Sequence, residues 1–430
     1  MAIKIERAIF YLFIFCIPFQ TRAILKIWGG GFNEWNAAFL YGTDVLLLTL
    51  FIFWLIRKNR PETQEVTADK SAIHLLENSR GDSSRAKAPI EKLLLTARSR
   101  GSRVGRMADL SLLLFLAIST FSITQADNKI LSFYNLLKLL EFVGLYYYIR
   151  TSLGKVISIN GSFFVIIFSG FLQGFMAVGQ SLLQQSLGLK WLGESVLRTN
   201  FAGVAVVPTL AGKFLRAYGT FPHPNVLAAW LFLATFAFYF WYLYTVRSRF
   251  VWTVFVVYPV LLWGLFSTFS RVAIGLLAVG VVVRLLAVLI KEKNYNLNTI
   301  FKRRLLLLSA STCVAVFLFS FFYWPQVQSR IFVSGQEQAV SQRILYTKLA
   351  GEMILNKPWL GVGLGQFVNA MSVSFKNSPK YLYQPVHNIY LLVANEVGIL
   401  GLAVFILWLI ALVYQYKRNT GFSKLYHLSF

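Results

Sequence analysis

The chain has 430 residues, of which 57% are hydrophobic and 14% charged, and 42 lysines and arginines against 17 acidic residues give a formal net charge of +25. Such an apolar composition, arranged in long runs, excludes a soluble globular protein. The basic excess lies at the ends of apolar runs and in one polar loop, where attraction to anionic lipid explains it better than nucleic-acid binding does. The sequence therefore predicts a polytopic membrane protein.

Ten apolar segments approach the length of about 20 residues that a helix needs to cross a bilayer. They predict an all-α membrane helix bundle of about ten to twelve transmembrane helices, forming a single integral membrane domain over 1–430. The apolar patch 201–215, interrupted by glycine and proline, is expected to be re-entrant or interfacial, and a short spanning pair is the alternative. The predicted spans are 8–26, 38–56, 108–124, 131–150, 162–183, 224–246, 250–269, 272–290, 305–323 and 397–415.

Lysine and arginine set the orientation, because short loops rich in them stay in the cytoplasm. With ten crossings and the N-terminus inside, the inner segments 151–161, 291–304 and 416–430 are basic. The loop 57–107 is basic and lacks periodic apolar positions, so it is expected to be a disordered cytoplasmic loop. We therefore expect both termini in the cytoplasm, a location in the cytoplasmic (inner) membrane, and an active site facing the periplasm or exterior.

The first polar outer segment, 198–225, holds Arg216 and His223 directly before the sixth predicted span. Pro222 and Pro224 force an extended backbone around His223. An arginine on the outer side opposes the charge bias that orients the protein, so Arg216 is either a phosphate ligand or a side chain that reaches the interface. His223 is a supporting candidate for the same site.

The second outer segment is a tight turn, Phe-Ser-Thr-Phe-Ser-Arg, which places Arg271 between two apolar helices with almost no loop. An arginine near membrane depth usually faces the protein interior or a wet cavity and pairs with an anion or with carbonyls. Ser267, Thr268 and Ser270 add hydroxyl groups beside it. An anion site at Arg271 is therefore favoured over simple contact with the interface.

The third segment is a large extracytoplasmic loop, 324–396, which is expected to be partly helical. Apolar residues recur at helical spacing over 341–354 and predict an amphipathic helix that lies on the membrane or covers a cavity. The stretch Pro-Trp-Leu-Gly-Val-Gly-Leu-Gly-Gln-Phe lacks the Lys-Ser or Lys-Thr of a phosphate-binding loop, so a flexible turn is expected there. Arg330 and Arg343 are second-rank candidates for binding sugar or phosphate.

His387 and Asn388 come near the end of this loop, and nine residues separate Asn388 from Gly398, which is followed after two residues by Gly401. The segment predicts a helix with His387 and Asn388 at or near its N-terminus. Histidine can exchange a proton near neutral pH. Taken alone, the position fits a histidine that caps a helix better than a catalytic base.

The pattern His-Asn, nine residues, Gly-x-x-Gly after a large outer loop resembles the signature of the O-antigen ligase and O-antigen polymerase superfamily. The segment Arg-Ala-Tyr-Gly-Thr-Phe-Pro-His-Pro-Asn, the arginine at the outer end of a helical hairpin, and the stretch Asn-Lys-Pro-Trp-Leu-Gly-Val-Gly-Leu-Gly-Gln-Phe are also similar to family segments. The resemblance covers about 198–415, whereas 1–197 match in hydropathy alone.

The resemblance implies an inverting, metal-independent glycosyltransferase without a cofactor. It would transfer a glycan from an undecaprenyl diphosphate carrier to a sugar hydroxyl of an acceptor. The acceptor would be either lipid A core or another carrier-linked repeat unit. His387 would be the catalytic base, Arg216 and Arg271 would bind the donor diphosphate, and Asn388 would support the site. The outer acidic residues form no Asp-x-Asp pair of the kind that holds a metal ion.

Two other functions stay open. An O-antigen polymerase of the same superfamily differs in its acceptor, and a lipid-linked glycan flippase or other transporter would also have many apolar helices. The chain shows no self-similar halves, and its unusual charges cluster outside rather than at the midplane, which favours the enzyme. The expected partners are the donor, the acceptor glycan and membrane lipids, and not nucleic acid.

Overall fold

The computed structural model describes residues 2–28, 32–59, 87–244, 250–294, 299–331, 338–374 and 382–419. The structure is 73% helical, which confirms the predicted all-α membrane class. Short 3-10 helices occupy Glu34–Asn36, Ile123–Gln125 and Lys190–Leu192. The α-helices are α1 (Ala2–Cys16), α2 (Gly42–Lys58), α3 (Lys87–Ser122), α4 (Lys129–Ser152), α5 (Ile159–Leu183), α6 (Pro224–Tyr244), α7 (Thr253–Ser267), α8 (Arg271–Asn294), α9 (Thr299–Phe322), α10 (Trp324–Ile331), α11 (Gln338–Asn356), α12 (Phe367–Ser374) and α13 (Ile389–Asn419).

Two small sheets accompany the helices. Strand β1 (Arg22–Ile27) pairs with β2 (Ala37–Tyr41), and β3 (Val206–Thr209) pairs antiparallel with β4 (Gly212–Leu215). The residues divide into two compact units, each with its own packing. Unit 1 contains Met1–Lys26, Ala38–Trp54 and Glu141–Glu337, and unit 2 contains Ile27–Ala37, Leu55–Leu140 and Gln338–Phe430.

The core of unit 1 forms where α5 packs against α6 and α7. Glycines let the α5 and α7 backbones approach closely. A Cβ on Gly174 would lie 2.8 Å from the Val260 carbonyl oxygen, and one on Gly264 would lie 2.6 Å from the Gly174 Cα. Small residues at crossings are typical of membrane helices, where van der Waals contact drives association. This crossing fixes the position of α7, from which the turn to α8 continues.

Unit 2 is built on α3 and α13, which pack along each other with Phe115 and Val397 buried between them. A second apolar cluster includes Tyr346, Phe367 and Val386 and joins α11, α12 and the segment before α13. The N-terminal part of α13 is therefore supported by two apolar clusters.

Five helices in the described part of the chain are long and apolar enough to cross a membrane, and α7 and the segment Arg271–Val283 are shorter apolar helices. On α9, Phe317 and Phe321 are 68% and 69% exposed, as expected for side chains that contact lipid. These features identify an integral membrane protein; the number of about ten crossings and their orientation stay predictions. The five helices are Gly105–Gln125, Ile159–Leu183, Pro224–Tyr244, Thr299–Phe322 and Ile389–Gln415.

The predicted spans all overlap helices, but the first has different bounds. The helix within 8–26 ends at Cys16, because Pro18 disfavours helical backbone in the residue before it. The chain then forms β1. The patch 201–215 also differs from one expectation: it contains the β3–β4 hairpin, whose four-residue strands exclude the alternative of a spanning pair.

Two predicted loops differ from expectation. The loop 57–107 contains more helix than expected, and the helix of the outer loop buries a different face. Residues 60–86 of the loop 57–107 lie outside the described residues, and from Lys87 its backbone is helical, in a stretch rich in strong helix formers. In the outer loop, α11 covers the predicted helix 341–354. Its buried side is centred on Tyr346 and Ala350, whereas Ile344 is 66% exposed.

Replacing Gly174 with alanine should destabilise unit 1, because the added Cβ would press on a backbone carbonyl of α7 that cannot rotate away. We expect a loss of about 1–3 kcal/mol in the free energy of unfolding, the range for overpacked cores. Unfolding in detergent measures it. The matched control is Gly275→Ala on α8, where nothing lies within 4 Å of the added Cβ. Equal stability of the two variants would contradict the close α5–α7 crossing.

Candidate active site

Arg216 is held against the turn between α7 and α8. Its Nε donates a hydrogen bond to the Thr268 carbonyl oxygen at 2.7 Å, and its Nη2 donates to Asn225 Oδ1 at 2.7 Å. These two bonds orient the half-buried guanidinium beside the turn that leads to Arg271. The structure therefore brings the first and second outer segments of the sequence together within unit 1.

Two glutamines of α5 fix the backbone 218–220, which follows Arg216. Gln180 Oε1 accepts the backbone N–H groups of residues 218 and 219 at 2.9 and 2.8 Å. Gln180 Nε2 donates to Glu194 Oε1 at 2.8 Å, and Gln173 Oε1 accepts the N–H of residue 220 at 3.0 Å. All of these polar groups are buried, so breaking one bond would leave a donor or acceptor with neither a protein partner nor water.

Tyr218 is part of the same buried segment. Its hydroxyl oxygen accepts the Ala205 N–H at 2.7 Å, and its side chain is 4% exposed. Burial raises the pKa of Tyr218, although the bond from Ala205 and the charge of Arg216 act in the opposite direction. Tyr218 is therefore a neutral phenol at physiological pH, and its contacts give it a structural role.

The hydrogen bonding of His223 is set by the start of α6. The Asn225 backbone N–H donates to His223 Nδ1 at 3.1 Å. A backbone N–H can only donate, so Nδ1 carries no hydrogen and the neutral ring holds its hydrogen on Nε2. His223 in this form presents a donor at Nε2, which suits contact with an anion better than removal of a proton.

The turn between α7 and α8 uses its hydroxyl groups internally. Phe269 adopts a φ of 47°, which is uncommon for a residue other than glycine. The fully buried Ser267 and Thr268 donate their hydroxyls to α7 carbonyls at 2.9 and 2.6 Å, and the Ser267 carbonyl accepts the Ala217 N–H at 2.9 Å. These hydroxyls therefore satisfy the end of α7 and do not form the anion site expected from their position beside Arg271.

Arg271 begins α8 and lines a cavity of about 350 Å³ within unit 1. Arg330 of α10 lines the same cavity, and its Nη2 donates to the Val206 carbonyl oxygen of β3 at 3.3 Å. A mainly apolar wall beside two permanent positive charges is suited to an amphipathic anion. The apolar wall includes Phe266, Phe269, Ile274, Phe319, Val327 and Ile331.

His387 lies directly before α13 in unit 2, and its imidazole is exposed. Nδ1 lies 2.9 Å from the Pro385 carbonyl oxygen. A carbonyl can only accept, so this bond places a hydrogen on Nδ1 and leaves Nε2 of the neutral ring as the proton acceptor. Asn388 caps the helix, because its Oδ1 accepts the N–H groups of Tyr390 and Leu391 at 3.0 and 3.3 Å.

Helix α13 is interrupted at Gly398, and the glycine-rich loop 358–367 docks at the interruption. Gly398 has φ 80° and ψ 176°, which are not helical values. The Asn395 carbonyl accepts the Val362 N–H at 2.7 Å, and the Ile399 N–H donates to a carbonyl of the glycine-rich loop at 2.8 Å. The loop and the helix therefore pair each other's backbone hydrogen-bonding groups at the point where the helix is broken.

Glycine is required on both sides of this contact. A Cβ on Gly398 would overlap the Trp359 carbonyl, and one on Gly361, at φ 68°, would overlap the Asn395 carbonyl. The segment forms turns, as expected, and its glycines serve close approach of two backbones.

Glu396 strengthens the same contact with its side chain. Its carboxylate oxygens accept the N–H groups of Gly365 at 2.9 Å and Phe367 at 3.3 Å, and its own carbonyl accepts the Gly363 N–H at 3.1 Å. Glu396, an acidic residue isolated in sequence, therefore holds the glycine-rich loop through hydrogen bonds.

The His387 segment, the glycine-rich loop and the cavity of Arg271 and Arg330 all lie in 257–406. These residues match a protein-family model described as O-antigen ligase. Residues 257–406 are therefore similar to a domain of the O-antigen ligase family and are called the family domain here. The match confirms the resemblance to the O-antigen ligase and polymerase superfamily. No protein with a curated description matches the chain.

The family domain supports an integral membrane enzyme of the glycosyltransferase type, a ligase or polymerase whose substrates are a lipid-linked glycan and an acceptor sugar in general. Within the described residues, no group of three or more His, Cys, Asp or Glu side chains is arranged to hold a metal ion. The expectation of a metal-independent reaction stays a prediction.

The predicted site residues fall on both units. Arg216, Arg271, Arg330 and His223 belong to unit 1, whereas His387, Asn388 and the exposed Arg343 of α11 belong to unit 2. Sequence reasoning missed the structural contacts of Gln180, Glu396 and Tyr346. Gln173 and Gln180 had a readable signal, since two glutamines seven positions apart lie on one face of an otherwise apolar helix.

Gly398→Ala should disrupt the His387 unit, whereas Gly351→Ala on α11 of the same unit should be tolerated. Alanine at 398 would need a φ of 80° and would meet backbone atoms, while nothing lies within 4 Å of a Cβ added at 351. Backbone strain of this kind costs about 1–3 kcal/mol before the overlap is counted. Thermal unfolding in detergent compares the variants. Similar losses at both glycines would contradict the proposed backbone contact.

Proposed function

We propose that the chain is an O-antigen ligase-like glycosyltransferase that transfers a glycan from an undecaprenyl diphosphate carrier to an acceptor sugar hydroxyl. The observation that carries the proposal is the cavity shared by Arg271 and Arg330, whose lining residues all lie in the family domain. A polyprenyl diphosphate needs an apolar wall for its tail and cations for its head. The cavity combines both features.

Arginine suits the diphosphate because its planar fork can bind two phosphate oxygens and stays charged at any physiological pH. Arg271 and Arg330 are the proposed ligands at the cavity. Arg216 is the third, supported by its fixed orientation against Thr268 and Asn225. The Nε2 hydrogen of His223 would add a further donor to the same anion.

His387 is the proposed general base. Its Nε2 takes the proton of the acceptor hydroxyl while the hydroxyl oxygen bonds to the anomeric carbon of the donor glycan. The bond from that carbon to the diphosphate oxygen breaks, and its electron pair leaves with the undecaprenyl diphosphate, whose charge the arginines stabilise. Attack opposite the leaving group inverts the anomeric configuration. Nothing in this sequence of events calls for a metal ion or cofactor.

The proposed location is the outer face of the cytoplasmic membrane, with both termini in the cytoplasm. An undecaprenyl carrier keeps its tail in the bilayer and its diphosphate at the interface, which is the environment that an apolar cavity with arginines suits. Ligase and polymerase activity differ in the acceptor, which is lipid A core in one and another carrier-linked repeat unit in the other. Offering both acceptors to the purified protein would separate them.

His387→Ala should abolish glycan transfer while leaving insertion and donor binding intact, because the side chain acts on the acceptor proton. General-base catalysis contributes about 100- to 10,000-fold. The assay measures transfer from a labelled undecaprenyl diphosphate glycan to acceptor in detergent, without an ion gradient. Full transfer by a correctly inserted His387→Ala protein would remove this residue from the mechanism. Gradient-dependent movement of donor without transfer would instead indicate a transporter.

Arg330 and Arg343 form a matched pair of arginines for testing the cavity. Arg330→Ala should weaken donor binding about 10-fold or more, because a charged hydrogen bond contributes about 1.5–3 kcal/mol, whereas Arg343→Ala should change it little. Titration of the labelled donor measures both, and Arg271→Ala should behave like Arg330→Ala. Unchanged donor binding in the Arg271 and Arg330 variants would contradict the proposed donor site.

A further inference from the structure

A tyrosine from a distant part of the chain lies against His387. Tyr346 of α11 has its ring centroid 6.1 Å from that of His387, with the two ring planes 27° apart. The Tyr346 hydroxyl donates to the Leu382 carbonyl oxygen at 2.7 Å. Tyr346 therefore contacts both the imidazole and the segment that leads to it.

The imidazole of His387 is exposed, so its contacts decide which way its ring faces. The Pro385 carbonyl accepts the hydrogen of Nδ1 at one edge, and Tyr346 lies along one face in an offset aromatic pair. An exposed side chain without such contacts samples several rotamers. Together, the two contacts engage Nδ1 and one face of the ring, and neither of them uses Nε2.

Tyr346 is itself held firmly. Its side chain is 4% exposed and packs in an apolar cluster with Phe367, Met371 and Val386. Burial raises the pKa of Tyr346, so its hydroxyl stays neutral and remains a donor to Leu382. A buried, engaged hydroxyl is not available to exchange protons with a substrate.

We propose that Tyr346 is a positioning residue for His387, whose ring fixes the plane of the imidazole so that Nε2 can accept the proton of the acceptor hydroxyl. The inference rests on the proposed function of His387 as general base. Tyr346 acts through His387 and does not touch the reacting atoms. Its hydroxyl holds the 382–386 segment, and its ring holds the imidazole.

The test compares Tyr346→Phe, which keeps the ring, with Tyr346→Leu, which removes it. We expect Tyr346→Leu to lower kcat about 10- to 100-fold, the effect of a small misplacement of a reacting group, with the KM for donor unchanged. Tyr346→Phe should retain most of kcat. Tyr390→Leu is the matched control, because this neighbouring tyrosine pairs with Phe405 and should leave kcat unchanged.

A spectroscopic measurement keeps the test independent of activity. The chain has only four histidines, so nitrogen-15 labelling of histidine gives few signals, and His387→Ala assigns the one needed. The wild-type protein should show hydrogen on Nδ1 of His387, and Tyr346→Leu should shift the ring towards the Nε2-protonated form that free imidazole side chains favour. Tyr346→Phe and Tyr390→Leu should keep the wild-type signal.

The outcomes separate this inference from the proposed function. Wild-type kcat and an unchanged His387 signal in Tyr346→Leu would overturn the positioning role, as would equal losses in Tyr346→Phe and Tyr346→Leu. Transfer that survives His387→Ala would instead remove the general base itself, whatever Tyr346 does. If Tyr346→Leu does not fold, the signal of His387 in Tyr346→Phe decides. Loss of the Nδ1 hydrogen in this variant, which keeps the ring, would overturn the role of the ring.

Discussion

The unit that carries His387 depends on contact between two backbones. Helix α13 gives up regular geometry at Gly398, and the carbonyls before the break accept N–H groups from the glycine-rich loop. Backbone polar groups buried away from water must be paired, so the broken helix and the loop need each other. Gly398 of the signature is thereby explained as a packing constraint on the helix that begins beside His387, and the glycines of the loop are explained by the same contact rather than by phosphate binding.

Unit 1 meets a different constraint, since guanidinium groups near lipid are unfavourable unless they are hydrogen-bonded. Arg216 and Arg330 donate to the carbonyls of Thr268 and Val206, and Gln180 holds the backbone just after Arg216. Their directions are therefore set by the fold before any ligand arrives. Such preorganisation is what makes fixed charges effective for a leaving group, because little reorganisation is needed during the reaction.

Hydropathy predicted the helical class and the approximate positions of the apolar helices, because lipid imposes one strong rule on composition. It did not predict that the first helix ends at Cys16, since Pro18 acts locally within an apolar run. The roles of side chains were harder to predict. Thr268 looked like part of an anion site but caps α7 internally. Tyr346 lies within the predicted amphipathic helix without a signal of its own, and only folding brings it to His387.

The two described histidines show how local backbone assigns different chemistry to one residue type. At His223 a backbone N–H donates to Nδ1, and the ring hydrogen lies on Nε2. At His387 a backbone carbonyl accepts from Nδ1, and Nε2 is the acceptor. The first arrangement suits an anion and the second suits a hydroxyl proton. Exchanging the proposed roles would require each ring to break its backbone bond, so the carbonyl of Pro385 and the N–H of Asn225 support the proposal of His387 as base and His223 as donor.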